Sequence, residues 1–345
     1  MRSEDDLVAV LRDTFLPTLT GEILLGVGDD CAIIDAHSPY VTSTDLLVEG
    51  SHFYTNWLTP EDIARRTFMQ NVADILAMGA RPVAIVVGLV LPLEDIRTPD
   101  FSSHDSASFV TVSRFEWTLR FANALRDIAI ENDVAVVGGD ITVGRAAEQC
   151  LMLSGTVYGD LDGNAPVLRS GAKAGDILAL SGEVGLSNAG YNLLKAGIHT
   201  GRIPFEEKAI SRYKTPLPPF SSAKYARQLG ANAMLDVSDG LYQDAMRIAK
   251  ASDVSIELFA RENINGINDD SEVSANQYYF GGEDHGLLAS FDAKTFSEAT
   301  STFGFTPIGK VHVKGDAPVF GSEIDTLEKR GWDHLAHKDK ESSYV

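Results

Sequence analysis

Short apolar runs alternate with helical patterns along most of this sequence. The most apolar run, residues 83–91 (VAIVVGLVL), is typical of a strand buried on both faces and is far shorter than the roughly 20 residues of a membrane helix. A helix is predicted just before it, with Thr59 as N-cap, Pro60 at the first helical position and Gly79 beyond its end. Further helices are predicted at residues 5–15, 115–130, 188–195 and 241–251. A strand is predicted at Tyr40–Val48, and another at residues 134–142 that breaks at Gly138-Gly139. Strands that alternate with helices predict mixed α/β domains.

Composition limits the classes of partner. Acidic residues outnumber basic residues 49 to 29, which gives a net charge of −20. This charge repels nucleic acid and anionic membrane surfaces, so we expect neither as a partner. The two cysteines form no C-x-x-C pair, and the first residues carry acids where a signal peptide carries bases. We therefore expect a cytoplasmic protein that does not enter a membrane.

A domain boundary is predicted at residues 159–175, where glycine, proline and charged residues cluster. We expect one domain over residues 1–160 and an α/β domain over residues 161–335, followed by a polar tail at 336–345. The Ser-rich stretch at residues 98–114 has no period and predicts a loop.

Aspartates recur where the apolar runs end. They are Asp29, Asp30, Asp45, Asp140, Asp236 and Asp239, and Asp74 interrupts the predicted helix. Each has an ordinary explanation in isolation, because Asp favours turns and helix N-caps; at Asp239, capping and ligand binding are equally open. Asp74 is harder to explain, since an acid among apolar neighbours needs a partner or water. Asn71 lies on the same helix face and is a candidate partner.

Together these acids indicate chemistry with a hard cation. Mg²⁺ prefers carboxylate oxygens and binds through one or two acids together with water and substrate phosphates. The segment GVGDD at 26–30 has G-x-G spacing but presents acids where a phosphate cradle presents N–H groups, so it is either a surface turn or half of a metal site. The sequence has no P-loop, no protein-kinase motif set and no G-x-S-x-G, which excludes those three enzyme classes.

Six motifs occur in an order that resembles the thiamine-monophosphate kinase family. They are GVGDD at 26–30, TSTD at 42–45, NVADILAMGARP at 71–82, VVGGD at 136–140, LDVSDG at 235–240 and FGGED at 280–284. The resemblance covers roughly residues 20–335 and implies the two-domain α/β fold of the aminoimidazole ribonucleotide synthetase superfamily. It also implies a homodimer in which the N-terminal domain binds ATP and Mg²⁺ and pairs its sheet with that of a second copy.

The implied reaction transfers a phosphoryl group in line from ATP to thiamine phosphate, assisted by several Mg²⁺ ions. A phosphate oxygen is the nucleophile and is largely ionised at pH 7, so no general base is expected. The residues that match metal-binding positions are Asp30, Ser43, Thr44, Asp45, Asp74, Asp140, Asp236 and Asp239. ATP-binding positions are matched by Gly139, Asp140, Arg169 and Ser238, with Arg169 also stabilising the transfer; thiamine-binding positions are matched by His52, Glu283 and Trp332.

Some features leave alternatives open. After GGED the chain has His285-Gly286-Leu287 where the family pattern has Tyr-Glu-Leu, which changes the surroundings of Glu283. Arg169 also fits an ordinary surface arginine, and Trp332 an aromatic that caps a core. The alternatives to the kinase are another ATP-dependent enzyme of the superfamily, of the aminoimidazole ribonucleotide synthetase or hydrogenase-maturation type, and a silent nucleotide- or metal-binding relative.

Overall fold

Two compact units make up the fold. The structure, a computed structural model, describes residues 4–25, 32–35, 38–100, 108–144, 150–264, 272–296 and 303–327. The first unit is drawn from Met1–Ile75 and Arg81–Asn164, and the second from Leu76–Ala80 and Ala165–Val345. Both combine helices with sheets, so the expected mixed α/β class is confirmed. The boundaries and roles expected for the two domains stay predictions.

The first unit is built around a four-stranded sheet. Its helices are α1 (Glu4–Phe15), α2 (Pro60–Ala77, whose last two residues belong to the second unit) and α3 (Arg114–Glu131). Its strands are β1 (Ile23–Leu25), β2 (Ile33–Ile34), β3 (Tyr40–Val48), β4 (Arg81–Leu91), β5 (Ile96–Pro99), β6 (Phe109–Val112), β7 (Ala135–Val143) and β8 (Met152–Asp160). The sheet has the order β3-β8-β4-β7, while β1 pairs with β2 and β5 with β6.

Local sequence signals account for the start of α2. The Thr59 hydroxyl accepts a hydrogen bond from the Asp62 N–H (3.1 Å), and the Asp62 carboxylate accepts one from the Thr59 N–H (3.0 Å). This reciprocal cap satisfies two N–H groups that the first turn of a helix leaves without partners. The helix continues with one apolar face, on which Phe68 and Val72 are fully buried. The cap fixes where α2 begins, and the burial of Phe68 and Val72 holds the helix in the core.

The second unit is a six-stranded sheet with helices. The helices are α4 (Leu186–Lys195), α5 (Pro204–Lys214), α6 (Phe220–Gln228), α7 (Leu241–Ser252) and α8 (Ala275–Phe280). The strands are β9 (Ile177–Ser181), β10 (Ala231–Val237), β11 (Val254–Leu258), β12 (Gly286–Phe291), β13 (Thr306–Val313) and β14 (Val319–Phe320), in the sheet order β10-β12-β9-β13-β11-β14. Leu235 of β10, Ile248 of α7 and Leu288 of β12 belong to one buried core.

Several details differ from the sequence predictions. Strand β7 continues through Gly138-Gly139, so Asp140 lies within a strand, and Asp45 lies three residues before the end of β3. The predicted loop at 98–114 holds strand residues on both sides, because Arg97 covers the Phe109 ring and the two short strands pair. Helices α5, α6 and α8 were not predicted. Within the described ranges, no helix combines the length and the apolar character that crossing a membrane requires.

Candidate active site

Three of the predicted metal-binding residues lie together in the first unit. Ser43 and Asp45 are two positions apart on β3, so their side chains share a face of the sheet. The Ser43 hydroxyl donates to the Asp74 carboxylate on α2 at 2.5 Å. All three residues are half-buried. We call Ser43, Asp45 and Asp74 the first acid cluster; it offers oxygen ligands that remain accessible to solvent.

Asn71 organises this cluster, although it was predicted only as a partner of Asp74. It is fully buried. Its amide oxygen accepts the Asp45 N–H at 3.3 Å, and its amide nitrogen donates to the Thr67 carbonyl at 2.8 Å. Asn71 therefore ties β3 to α2, and the Asp74 carboxylate accepts a hydrogen bond from Ser43. The i, i+3 spacing of Asn71 and Asp74 was the signal for a shared helix face.

Asp140 does not join the first acid cluster. The strand register aligns Asp45 of β3 with one residue on each of the other three strands, which are Gly155, Val87 and Gly139. These four residues form one row across the sheet. Three strand spacings therefore separate β3 from β7, about 14 Å. Asp140 shares the next row with Leu46 and thus lies on the opposite face from Asp45. The Thr44 side chain also lies on that face, 2.9 Å from the Thr156 hydroxyl.

An apolar cavity of about 170 Å³ lies beside Gly139 and Asp140. Its walls come from α1, α3 and the sheet, and they include Phe15 and Phe121. Gly139 approaches the neighbouring strand so closely that a Cβ there would lie 2.2 Å from the Val87 carbonyl oxygen. Gly139 and Asp140 were predicted from the VVGGD motif, but the cavity was not, because its walls come from segments far apart in sequence.

His52 follows β3 in a tightly held turn. Its Nδ1 accepts the Val48 N–H at 3.0 Å, which places the ring proton of the neutral imidazole on Nε2. The Glu49 carboxylate accepts the Thr55 N–H at 3.2 Å and the Leu151 N–H at 3.1 Å, so it fixes the turn from within. Glu49 was missed by sequence analysis, since a lone glutamate at the end of a strand carries no distinctive signal.

In the second unit, the two motifs LDVSDG and FGGED form adjoining loops. The Glu283 N–H donates to the Ser238 carbonyl and the His285 N–H to the Val237 carbonyl, both at 2.8 Å. Gly240 has a φ of +101°, and a Cβ there would lie 2.9 Å from the Phe280 carbonyl oxygen, so the close approach of the loops requires glycine. Motifs more than forty positions apart in the sequence are thus brought into contact.

Asp244 and Arg247 brace the LDVSDG loop. The buried Asp244 carboxylate accepts the N–H groups of Ser238 and Asp239, each at 3.0 Å, and Arg247 forms ion pairs with both Asp244 and Asp239. Burial raises the pKa of the Asp244 carboxyl to about 7, although the Arg247 charge opposes that rise. The N-cap of α7 is Gly240, so capping does not explain Asp239. Neither Asp244 nor Arg247 was predicted.

Asp284 and His285 fix the second loop from inside. The Asp284 carboxylate accepts the Gly185 N–H at 2.6 Å and the Ser187 N–H at 2.9 Å, where α4 begins. Burial raises the pKa of Asp284 to about 7 against the lowering effect of these two donors. His285 Nδ1 lies 3.1 Å from the Asp236 carboxylate. We call Asp236, Asp239, Asp244, Asp284 and His285 the second acid cluster.

The remaining predicted residues divide into two groups. Asp30 and Trp332, like Asp29, lie outside the described residues. The Arg169 side chain is exposed, and its backbone carbonyl accepts a hydrogen bond from Ser252 at 3.3 Å. Among the residues that the structure describes, no three His, Cys, Asp or Glu side chains are grouped so that they could hold a metal ion by themselves. The oxygen donors of Ser43, Asp74 and Asp236 nevertheless suit Mg²⁺, which takes most of its ligands from water and phosphate.

Comparison with known proteins decides the family. Residues 28–161 match the family of AIR synthase related proteins, N-terminal domain. A thiamine-monophosphate kinase of Mycobacterium tuberculosis is 38% identical over 93% of this chain and 89% of its own length. The chain belongs to the thiamine-monophosphate kinase family. The membership confirms the resemblance that the six motifs predicted, and with it an enzyme of this class.

Solved structures agree with this thiamine-monophosphate kinase family assignment. A thiamine-monophosphate kinase from Stenotrophomonas maltophilia K279a has a TM-score of 0.72 at 26% identity and covers 91% of this chain and 95% of that one. The protein AaThiL, solved in complex with AMPPCP and TMP, has a TM-score of 0.69 at 27% identity and covers 97% and 99% of the two chains. The expected superfamily fold is thereby confirmed.

Proposed function

We propose that this chain transfers the γ-phosphoryl group of ATP to thiamine monophosphate and forms ADP and thiamine diphosphate. The observation that carries the proposal is the likeness to AaThiL, which was solved with AMPPCP and TMP and is matched along 97% of this chain. AMPPCP resembles ATP but has a methylene group between the β- and γ-phosphorus atoms, so it occupies a nucleotide site without transfer. Family membership supports the same reaction.

The acid clusters supply the charge pattern for this chemistry. The first acid cluster has accessible oxygens on β3 and α2, and Asp236 offers a further carboxylate in the second. Several Mg²⁺ ions bound by these acids, together with the predicted ligands Asp30, Thr44, Asp140 and Asp239, would supply positive charge to the ATP phosphates. Asn71 keeps Asp45 and Asp74 on neighbouring elements, so the ligands need little rearrangement on binding.

The acceptor needs orientation rather than activation. Its phosphate oxygen is already ionised, so direct in-line transfer requires no protein base. We assign contacts with thiamine phosphate to His52, Glu283 and Trp332. His52 suits that role because its ring is oriented by the Val48 N–H, and Glu283 because its backbone is held on the Ser238 carbonyl. Holding the two reactants in line accounts for much of the rate in such a reaction.

We propose that the apolar cavity beside Gly139 takes the adenine ring of ATP. Its walls include Phe15 and Phe121, whose rings suit a flat purine, and Asp140 lies at its edge. Ser238 and Arg169 are proposed to contact the phosphates, where the exposed guanidinium can offset transferred charge.

We also propose that the chain forms a homodimer through the sheet of the first unit and acts in the cytoplasm. Leu46, on the face that carries Thr44 and Asp140, is 52% exposed two residues before the end of β3. A large apolar side chain in that place supports pairing with a second sheet. We further propose that residues 1–160 form the ATP- and Mg²⁺-binding and dimerisation domain. Residues 161–335 would form the C-terminal α/β domain, which adds the contacts proposed for Arg169, Asp236, Ser238 and Asp239.

Product analysis tests the proposed reaction. Purified protein with ATP, Mg²⁺ and thiamine monophosphate should form thiamine diphosphate and ADP in equal amounts, separated by chromatography, and chelation of Mg²⁺ should stop both. Parallel incubations with the substrate of an aminoimidazole ribonucleotide synthetase, or with selenide, the substrate of the selenophosphate synthetases of the same superfamily, should consume no ATP. Turnover in those incubations without thiamine diphosphate in the first would contradict the proposal.

A further inference from the structure

His285 lies between two residues to which the proposed function gives different tasks. Its Nδ1 is 3.1 Å from Oδ2 of Asp236, a proposed metal ligand, and its Nε2 is 4.0 Å from Oε2 of Glu283, a proposed thiamine contact. His285 is 2% exposed and Asp236 is 5% exposed. A buried imidazole therefore lies between the proposed metal ligand Asp236 and the proposed thiamine contact Glu283.

The backbone holds this imidazole in place. The His285 N–H donates to the Val237 carbonyl at 2.8 Å, directly beside the β10 to β12 pairing that aligns Asp236 with Leu287. His285 has a φ of +56°, a left-handed conformation that His, Asn and Asp adopt more readily than most side chains. Both partners of the hydrogen bond are thus fixed by the same pair of strands.

The chemistry of the pair decides which group donates. A carboxylate that binds a metal offers only acceptors, so the hydrogen bond requires the proton on Nδ1. A tyrosine, which the family pattern has at this position, carries its polar atom at the far end of the ring. The imidazole Nδ1 is instead bonded directly to Cγ and reaches Asp236 close to the backbone.

We propose that His285 is a positioning residue, whose Nδ1–H holds Oδ2 of Asp236 so that Oδ1 is directed at the metal that accompanies ATP. The inference rests on the proposed function in that it takes Asp236 as a metal ligand. Hydrogen-bond partners of metal ligands fix the orientation of the ligand, and their loss typically lowers metal affinity or activity about 10- to 100-fold.

Three substitutions of His285 separate positioning from simple packing. H285N keeps an amide N–H on the atom next to Cγ and tolerates a positive φ. H285Q moves the amide one atom further along the side chain, and H285F removes the donor but retains a ring. H312F is the matched control, because His312 also pairs with a carboxylate of the same sheet, Glu257, at 2.9 Å, but that pair is partly exposed.

The measurement is the affinity of Mn²⁺ for the full-length protein with AMPPCP, read from the electron paramagnetic resonance of free Mn²⁺. We expect H285F and H285Q to bind Mn²⁺ at least about 10-fold more weakly than wild type, and H285N and H312F within about 3-fold of it. In steady-state assays the loss should appear mainly in the KM for Mg²⁺. If H285F does not fold, H285Q decides.

Two results overturn the inference: Mn²⁺ affinity within about 3-fold of wild type in a folded H285F or H285Q, or H285N as weak as H285F. A wild-type protein that binds no Mn²⁺ with AMPPCP also overturns it. Failure of the proposed function looks different: wild type forms no thiamine diphosphate, while the order of Mn²⁺ affinities among the variants is kept.

Discussion

The two acid clusters use the same residue type in opposite settings. In the first, Asp45 and Asp74 lie half-buried on a regular strand and helix. In the second, Asp236, Asp244 and Asp284 are at most 5% exposed and are held by backbone N–H groups, Arg247 and His285. Carboxylates of the first cluster can be changed without opening a core, whereas Asp244 and Asp284 hold their loops together.

Within this contrast we expect Asp45 and Asp74 to serve catalysis and Asp244 and Asp284 to serve the fold. Asp236 is buried like Asp244 and Asp284 but is a proposed metal ligand. Substitutions in the first acid cluster should lower turnover without changing the free energy of unfolding. Substitutions of Asp244 and Asp284 should change stability first.

The largest effect should follow Asp244→Ala. Removing this carboxylate leaves Arg247 without one of its two acids and leaves the Ser238 and Asp239 N–H groups without their acceptor. Loss of one partner of a buried ion pair costs about 3 to 5 kcal/mol, and because Arg247 is 33% exposed we expect the lower end of that range. Urea denaturation should show that loss in the free energy of unfolding of the second unit, and the exposed control Asp316→Ala should stay within about 0.5 kcal/mol. A loss below about 1 kcal/mol for Asp244→Ala would contradict the structural role that we assign to this residue.

Asp74→Asn should lower turnover about 100-fold or more, equivalent to about 2.7 kcal/mol. The amide keeps the shape of the side chain but loses the charge that suits Mg²⁺. The thermal midpoint should match that of wild type, since Asp74 is half-buried and its bond with Ser43 can be kept. Asp127→Asn, at an exposed ion pair of α3, is the control and should be fully active. Full activity of Asp74→Asn at low Mg²⁺ would end its assignment as a ligand.

Asp284 should make stability depend on pH. Its pKa in the fold, about 7, lies above the ordinary value of 3.8, so the folded state binds more protons than the unfolded state between these values. The contribution of Asp284 to stability is therefore greatest below pH 4 and is lost as pH rises through 7. The thermal midpoint of wild type minus that of Asp284→Asn should fall between pH 5 and pH 8, by roughly 2 °C or more. A difference that is constant or rises with pH would contradict this account.

The smallest effect is expected from Thr156→Val. The Thr156 hydroxyl lies 2.9 Å from that of Thr44 at an exposed position, so its loss should change stability by no more than about 0.5 kcal/mol. The register of β3 and β8 still places Thr44, and turnover should stay within about 2-fold of wild type. A large loss of turnover would mean that the sheet face carrying Thr44 and Thr156 takes part in catalysis more directly than we propose.

Local signals made much of the fold predictable. Strand β3 has the predicted bounds Tyr40–Val48, and α2 begins at Pro60 as its capping residue indicates. The continuity of β7 was missed because two glycines are a usual sign of a break, whereas Gly139 serves close packing against Val87. The short α8 was missed since six residues carry too little periodicity.

The motifs located the candidate site but not its internal contacts. Ser43 is 31 residues from Asp74, and Asp236 is 49 residues from His285. Such pairs depend on strand register and on how helices pack, and a local sequence pattern determines neither of them. Arg247 was overlooked because a basic residue on a helix is usually solvated.

A crystal structure with AMPPCP and Mn²⁺, with the metal located by its anomalous signal, tests most directly whether the acids of both clusters bind metal. We predict Mn²⁺ about 2.2 Å from a carboxylate oxygen of Asp74, and a second ion at the same distance from Oδ1 of Asp236 with His285 still bound to Oδ2. Bound nucleotide with no metal at either carboxylate would contradict the account.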